Sequence, residues 1–447
     1  MANLLTNLFR EPDLRKRVLF TIWCLIIFRI GAHITTPGID PARLKDMIEN
    51  VMHSHKALGN LLSYIDLFSG GALKQFTIFA LGVMPYISIS IIMQLLMTVV
   101  PQLEQLGKEG EMGRRKIQQY TKYGTVIMCI IQSATISRWI ASNEGVVVEG
   151  LKNHQFFFTV LVVVSITSGT MFLMWLGEQI SERGIGNGIS LLIFAGIAAR
   201  IPGAFIRTLD LVKQGNFNPV AFILVLLIFS VIIFFVVYEQ EGQRRIPVQF
   251  ARKIVGRKVY GAQNTYIPFK INPSGVIPII FASAIVMFPA QIASMLGNKF
   301  PAFTQLIAYL SPGQIPYMMI YGLLVIAFAY LYTTIQFNPV EIADNLKKSG
   351  GYIPGIRPGQ HTQEYLQKIL TRITLSGSLF LAFIAVFPDV ILKIDMFSEL
   401  DRGLAYLMGG TSLLILVSVD LDTMKQIESQ LMMRNYDGFM SKGRRRK

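Results

Sequence analysis

Apolar stretches of about 18 residues or more recur along this chain, and that recurrence restricts its fold more than any other feature. A helix rises about 1.5 Å per residue, so each stretch can cross roughly 30 Å of hydrocarbon. Ten are read, over 18–36, 76–100, 123–141, 156–177, 188–209, 218–238, 273–297, 317–337, 373–392 and 403–424. Composition agrees: 15% of the 447 residues are charged and mean hydropathy is +0.47, whereas a soluble domain carries about 25% charged residues. The first run is too long for a cleaved leader, carries Arg29 and lacks a small-x-small cleavage site, so it reads as a retained span.

The net charge of +15 points first to the excess of Lys and Arg on the cytoplasmic side of a membrane protein, and only then to nucleic acid. Of the 42 basic residues, 29 fall in 1–17, 101–122, 178–187, 239–272, 338–372 and 425–447, and nine in the alternate segments. The remaining four, Arg29, Arg138, Arg200 and Arg207, lie within spans. That asymmetry predicts an even number of spans with both termini cytoplasmic.

Three features depart from a plain bundle. A short apolar piece from Leu61 to Leu73, holding Asp66 and the pair Gly70-Gly71, is too short to span. It reads as a re-entrant segment or a small helix at the outer face. The segments 239–272 and 338–372 are large, basic and punctuated by Gly and Pro, which suggests docking sites. The basic tail from Lys442 to Lys447 fits anionic headgroups or solvent, with ribosomal RNA as a further option.

An internal repeat organises the spans. Gly82-Val83-Met84-Pro85-Tyr86-Ile87-Ser88 matches Gly275-Val276-Ile277-Pro278-Ile279-Ile280-Phe281 at an offset of 193 residues. Gly188-Ile189-Ser190-Leu191-Leu192-Ile193 matches Gly410-Thr411-Ser412-Leu413-Leu414-Ile415 at an offset of 222. Both matches join spans five apart, and five is odd, so the second half is inverted relative to the first. The expectation is an all-α membrane protein of ten transmembrane helices in two inverted, pseudo-symmetric halves of five. The N-terminal half covers 1–209, a hinge 210–217, the C-terminal half 218–424 and a cytoplasmic tail 425–447. Gly and Pro at corresponding places mark either a passage at the join or a pair of packing kinks. Val83 and Ile87, Ile189 and Ile193, and Val276 and Ile280 are spaced i, i+4, so each pair shares a helix face with no charge beside it.

Catalytic chemistry has no visible home. No HExxH, GxSxG or Walker A pattern occurs, and no Cys/His cluster has metal-ligand spacing, so neither metal nor cofactor is expected. Cys24 and Cys129 lie inside apolar runs, and the five histidines are scattered. Gly184-Ile185-Gly186-Asn187-Gly188 follows no strand and reads as a turn, not a dinucleotide loop. Three function classes remain: a gated passage, an ion-coupled secondary transporter, which also uses inverted repeats but wants ionisable midplane residues, and a scaffold with no passage.

Several strings resemble the bacterial SecY family of protein-conducting channels. They include Phe68-Ser69-Gly70-Gly71-Ala72-Leu73, Ala80 to Ser88, Gly113-Arg114-Arg115-Lys116-Ile117, Met174 to Ile180, Glu182 to Ser190, Phe337-Asn338-Pro339, Ala343 to Gly350 and Pro354 to Gly359. The resemblance implies an hourglass pore between the halves, with a narrow aliphatic ring at Val83, Ile87, Ile189, Ile193, Ile280 and Ile415. Val83 departs from the family's usual Ile. The resemblance also implies a plug over about 58–74, including Tyr64, Phe68, Gly70 and Gly71. A lateral gate would lie between the second and third spans and the seventh and eighth, with Ser88, Gln132 and Asn272 as its polar cluster. Arg257, Lys258 and Arg357 are the implied contacts for a ribosome or the SecA motor ATPase. Further implied partners are the small membrane subunits SecE and SecG, signal sequences, unfolded preproteins and lipid, in a bacterial plasma membrane.

Overall fold

The computed structural model describes residues 11–44, 47, 66, 69–141, 146–148, 150, 154–215, 217–250, 253–255, 258–260, 264–296, 313–397, 400 and 402–444. The N-terminal helices are α1 (Pro12–Gly31), α2 (Met84–Val99), α3 (Pro101–Lys108), α4 (Glu111–Ala141), α5 (Gln155–Arg183), α6 (Gly188–Ala198) and α7 (Ile201–Lys213). Then come α8 (Pro219–Glu241), a strand group β1 (Gln243–Phe250), β2 (Lys253–Val255), β3 (Lys258–Tyr260) and β4 (Asn264–Lys270), α9 (Ile277–Leu296), α10 (Ile315–Gln336) and α11 (Pro339–Lys348). The chain closes with β5 (Gly351–Tyr352), α12 (Gln360–Ile391), α13 (Arg402–Met408) and α14 (Gly410–Arg444).

Each of the ten expected spans holds a helix. Among the described residues, six helices are long and apolar enough to cross a membrane, or seven if α2 and α3, bent by 101° at Val100, count as one. The other expected spans hold shorter, more charged or interrupted helices, namely α1, α9 and the pair α13 and α14. Lipid is the solvent for which these helices are built. The most apolar window of α8 has a mean hydropathy of 3.5, yet 28% of it is buried within the molecule. Ile223, Leu227, Phe234 and Phe235 stand on its exposed side, a surface that water would not support.

Proline and asparagine set many helix starts. A proline occupies the first turn of α1, α2, α3, α7, α8, α10 and α11, where its missing N–H breaks no intrahelical bond. Asn218 and Asn338 precede two of these prolines, and their side chains accept from Val220 N at 2.9 Å and Val340 N at 3.1 Å.

Three expectations change. The span expected over 76–100 becomes helical only at Met84, because residues 70–83 form successive turns. Their polar backbone is tolerated at that depth because Ala72, Phe76, Phe79 and Ala80 are enclosed by protein. The span expected over 188–209 is interrupted between α6 and α7 beside Pro202, and α7 then runs to Lys213, into the segment read as a hinge. α4, α12 and α14 outrun their apolar windows at the ends expected to be cytoplasmic. The turn reading of 184–188 stands: Asn187 caps α6 through Ser190 N at 3.3 Å, and Gly186 has a φ of +85°.

The two basic segments form one body. β1 pairs antiparallel with β4, Ile246 opposite Ile267, and its far end pairs with β5, Gln249 opposite Tyr352. Ile246, Val248 and Phe269 share a core with Ile353, Leu366, Ile369 and Leu370 from the other segment.

Candidate functional site

The helices that carry the repeat start in matched register. α2 begins at Met84 and α9 at Ile277, which are 193 residues apart. α6 begins at Gly188 and α14 at Gly410, which are 222 apart. These are the offsets of the two sequence matches. The glycine before each member of the first pair, Gly82 and Gly275, has φ near +60° (55° and 61°), a conformation in which a side chain is strained. Two equivalent breaks therefore aim α2 and α9 from equivalent turns.

The six residues expected to form the ring lie at or near these helix starts. Val83 caps α2, and Ile87 lies one turn in; Ile189 and Ile193 occupy the first turns of α6, Ile280 that of α9, and Ile415 the second of α14. Val83, Ile193 and Ile415 are buried in one apolar cluster, and Ile87, Ile189 and Ile280 are half-buried against it. The six residues thus belong to, or border, one extended apolar cluster. Aliphatic side chains exclude water because they offer no hydrogen bond, and they bind no particular solute for the same reason.

The other expected residues divide. Gly70 and Gly71 lie in the turn before α2, with Gly70 against Gly196 of α6, while Tyr64 and Phe68 fall outside the described residues. Ser88 is half-buried on α2, and Gln132 is half-buried on α4. Asn272 is buried at the entry to α9, donating to Gly275 O and accepting from Ser274 Oγ, each at 3.0 Å, and it interacts with Glu239 of α8. α2 touches α9, α2 packs on α4, and α9 packs on α10, where Phe281 meets Phe328 edge-on at 5.8 Å. Arg357 is exposed just beyond β5, and its carbonyl accepts from Thr362 Oγ1 at 2.9 Å. Lys258 opens β3, opposite Val255, and Arg257 lies outside the described residues.

Sequence reasoning noted Asp66 and Arg200 separately but not together. In the fold Asp66 is fully enclosed and its Oδ2 lies 3.1 Å from Arg200 Nη2. Two further enclosed acids escaped notice. Asp389 accepts from Tyr406 Oη at 3.1 Å, and Glu239 accepts from Gln240 Nε2 at 2.9 Å. An acid inside an apolar run is the only sequence signal of such pairs, and it does not name the partner.

A family model described as SecY matches residues 77–424. The protein translocase subunit SecY of Escherichia coli K12 is 47% identical over 433 residues, covering 96% of this chain and 94% of that protein. The chain belongs to the SecY family. Among solved structures, a protein-conducting channel aligns at a TM-score of 0.62 with 20% identity, over 94% of this chain and 93% of that one. Sec61 in a canine ribosome-channel complex aligns at 0.60 with 19% identity and the same coverage. SecY-family members are channel subunits rather than enzymes, and the membrane fold described above is theirs.

Proposed function

We propose that this chain is the central pore subunit of a protein translocase, passing unfolded polypeptide across the membrane and releasing apolar segments sideways into lipid. The observation that carries this reading is that Val83, Ile193 and Ile415 belong to one apolar cluster, against which Ile87, Ile189 and Ile280 pack. A dry, deformable ring holds any sequence by dispersion and water exclusion, neither of which is side-chain specific. The contact between α2 and α9 is the seam through which an apolar segment would leave, with Ser88, Gln132 and Asn272 as its polar residues. A signal sequence shifts the population toward the parted seam because its apolar surface prefers lipid.

No nucleotide-binding pattern is present in the sequence, so the driving energy comes from a docked partner. The sheet that joins both basic segments supplies one platform for a ribosome or a SecA-type motor, with Arg357 exposed on it and Arg257 and Lys258 as further contacts. Small membrane subunits of the SecE and SecG kind would cover part of the exposed apolar surface. The charge asymmetry supports a bacterial plasma membrane with both termini on its cytoplasmic side. Ion-coupled transport finds little support, since the enclosed acids Asp66, Glu239 and Asp389 are each engaged by a neighbouring side chain. The test is reconstitution with a SecE/SecG-type pair and the motor ATPase, followed by protease protection of a preprotein. Nucleotide-dependent protection is expected; its absence, alongside saturable uptake of a small solute, would replace this reading.

A further inference from the structure

In the turn from Gly184 to Gly188, backbone amides are taken by three different helices. Gly184 N donates to Ile180 O of α5 at 2.8 Å. Ile185 N donates to Thr21 Oγ1 of α1 at 3.1 Å, Gly186 N to Gln426 Oε1 of α14 at 2.8 Å, and Gly188 N to Ser181 Oγ of α5 at 2.9 Å. The two hydroxyls place their own protons inside their helices, Thr21 on Arg17 O and Ser181 on Gly177 O, each at 3.0 Å. Their oxygens are therefore held as acceptors for the turn.

α1 and α5 belong to the same half of the molecule as the turn. Gln426 is the exception, because α14 belongs to the inverted half and lies 240 positions further along the chain. The approach there is close. A Cβ on Gly186, whose φ is +85°, would lie 3.2 Å from Thr423 Oγ1, one turn back on α14.

α14 is anchored at the same level. Ile427 and Leu431 pack against the buried pair Leu14 of α1 and Ile185 of the turn. Lys425 Nζ stands 2.7 Å from Glu241 Oε1 at the end of α8. That ion pair is exposed and contributes little strength, so the apolar contact is the main anchor and Gln426 reaches out from a supported helix.

What the turn controls is α6, since a helix starts where its first amides find partners. α6 begins at Gly188, which puts Ile189 three residues beyond the Gly186 amide and Ile193 about one turn further. On the other side of the bond, Ile415 precedes Gln426 by eleven residues of α14, about 17 Å along its axis. One hydrogen bond thus joins the helix that carries Ile415 to the turn that places Ile189 and Ile193.

We infer that Gln426 is a positioning residue for the passage: by holding the Gly186 amide it fixes the start of α6 against α14, and so sets how closely Ile189 and Ile193 rest beside Ile415. The inference rests on the ring reading given above and adds to it a residue outside the ring that governs the ring's resting tightness. A single hydrogen bond between neutral groups is weak enough to break and re-form. It biases the closed arrangement without locking it.

The test uses the full chain with its small membrane subunits in proteoliposomes. Three quantities are read: resting ion conductance, hydrogen exchange of the backbone over 184–190, and the unfolding midpoint. Gln426→Ala removes the acceptor, whereas Gln426→Glu keeps an oxygen at the same reach. The Ala variant should raise resting conductance about fivefold, the population shift that one lost hydrogen bond produces. It should also speed exchange of the turn while leaving the unfolding midpoint in place. The Glu variant should match wild type in all three, which separates positioning from a general loss of structure. The inference is overturned if Gln426→Ala keeps wild-type conductance while Ile87→Gly with Ile193→Gly leaks, or if Gln426→Glu leaks as much as Gln426→Ala. Should the Ile87→Gly, Ile193→Gly protein stay tight, the ring reading is at fault. Exchange then decides the attachment by itself: faster exchange in Gln426→Ala upholds it, and wild-type exchange overturns it.

Discussion

Tyr406 and Asp389 illustrate how single residues hold this membrane protein together. Asp389 is enclosed near the C-terminal end of α12, and the Tyr406 hydroxyl from α13 reaches it at 3.1 Å. Tyr406→Phe keeps the ring and removes the donor, which leaves an enclosed carboxyl short of a partner. A loss of about 1–3 kcal/mol in stability is expected, read as a lower unfolding midpoint in detergent with wild-type ion tightness. Arg357 acts differently, because it is exposed and its side chain supports no core. Arg357→Glu should abolish motor-driven export without changing the unfolding midpoint, and export at the wild-type rate would remove it from the docking surface. The exposure of Arg357 follows from the Gly- and Pro-rich string around it, but its docking role is named only through the family resemblance. The Asp389–Tyr406 pair was not legible in the sequence, because seventeen residues and a helix break separate its members.

At the scale of elements, the broken helices matter most. Gly82 and Gly275 occupy the same repeat position, and both adopt a left-handed backbone just before a helix starts. Nothing stands within 4 Å of a Cβ on Gly275, so Gly275→Ala tests conformation without steric conflict. A cost of about 1 kcal/mol or more is expected, together with a raised resting conductance as α9 loses its aim. A silent substitution would mean that the turn does not direct the helix. The repeat that predicted these equivalent starts was readable because helix starts depend on local residues, and Gly-Val-x-Pro is a local signal. The joining of the two basic segments into one sheet was not readable. β5 has two residues, and its pairing with β1 bridges about a hundred positions, so no local pattern announces it.

Across the whole molecule, two surfaces of opposite character are both apolar. The outer one faces lipid, and the inner one is the proposed ring. Replacing Ile87 and Ile193 by Gly removes two aliphatic side chains from the collar and should raise resting ion conductance at least several-fold, since a wetted constriction no longer blocks ions. Conductance indistinguishable from wild type would remove these residues from the seal. The apolar spans and the two offsets of 193 and 222 residues could be written down from the chain alone. Each follows from the composition of a local window or from a repeat within it, and the requirement that backbone be hydrogen-bonded inside lipid leaves helices as the outcome. Only the tertiary structure decided which aliphatic residues face one another, which acid meets which base, and that Arg200 reaches back to Asp66 across 134 positions. Those contacts depend on how helices lean and where their breaks point them, and that is settled when the whole bundle packs at once.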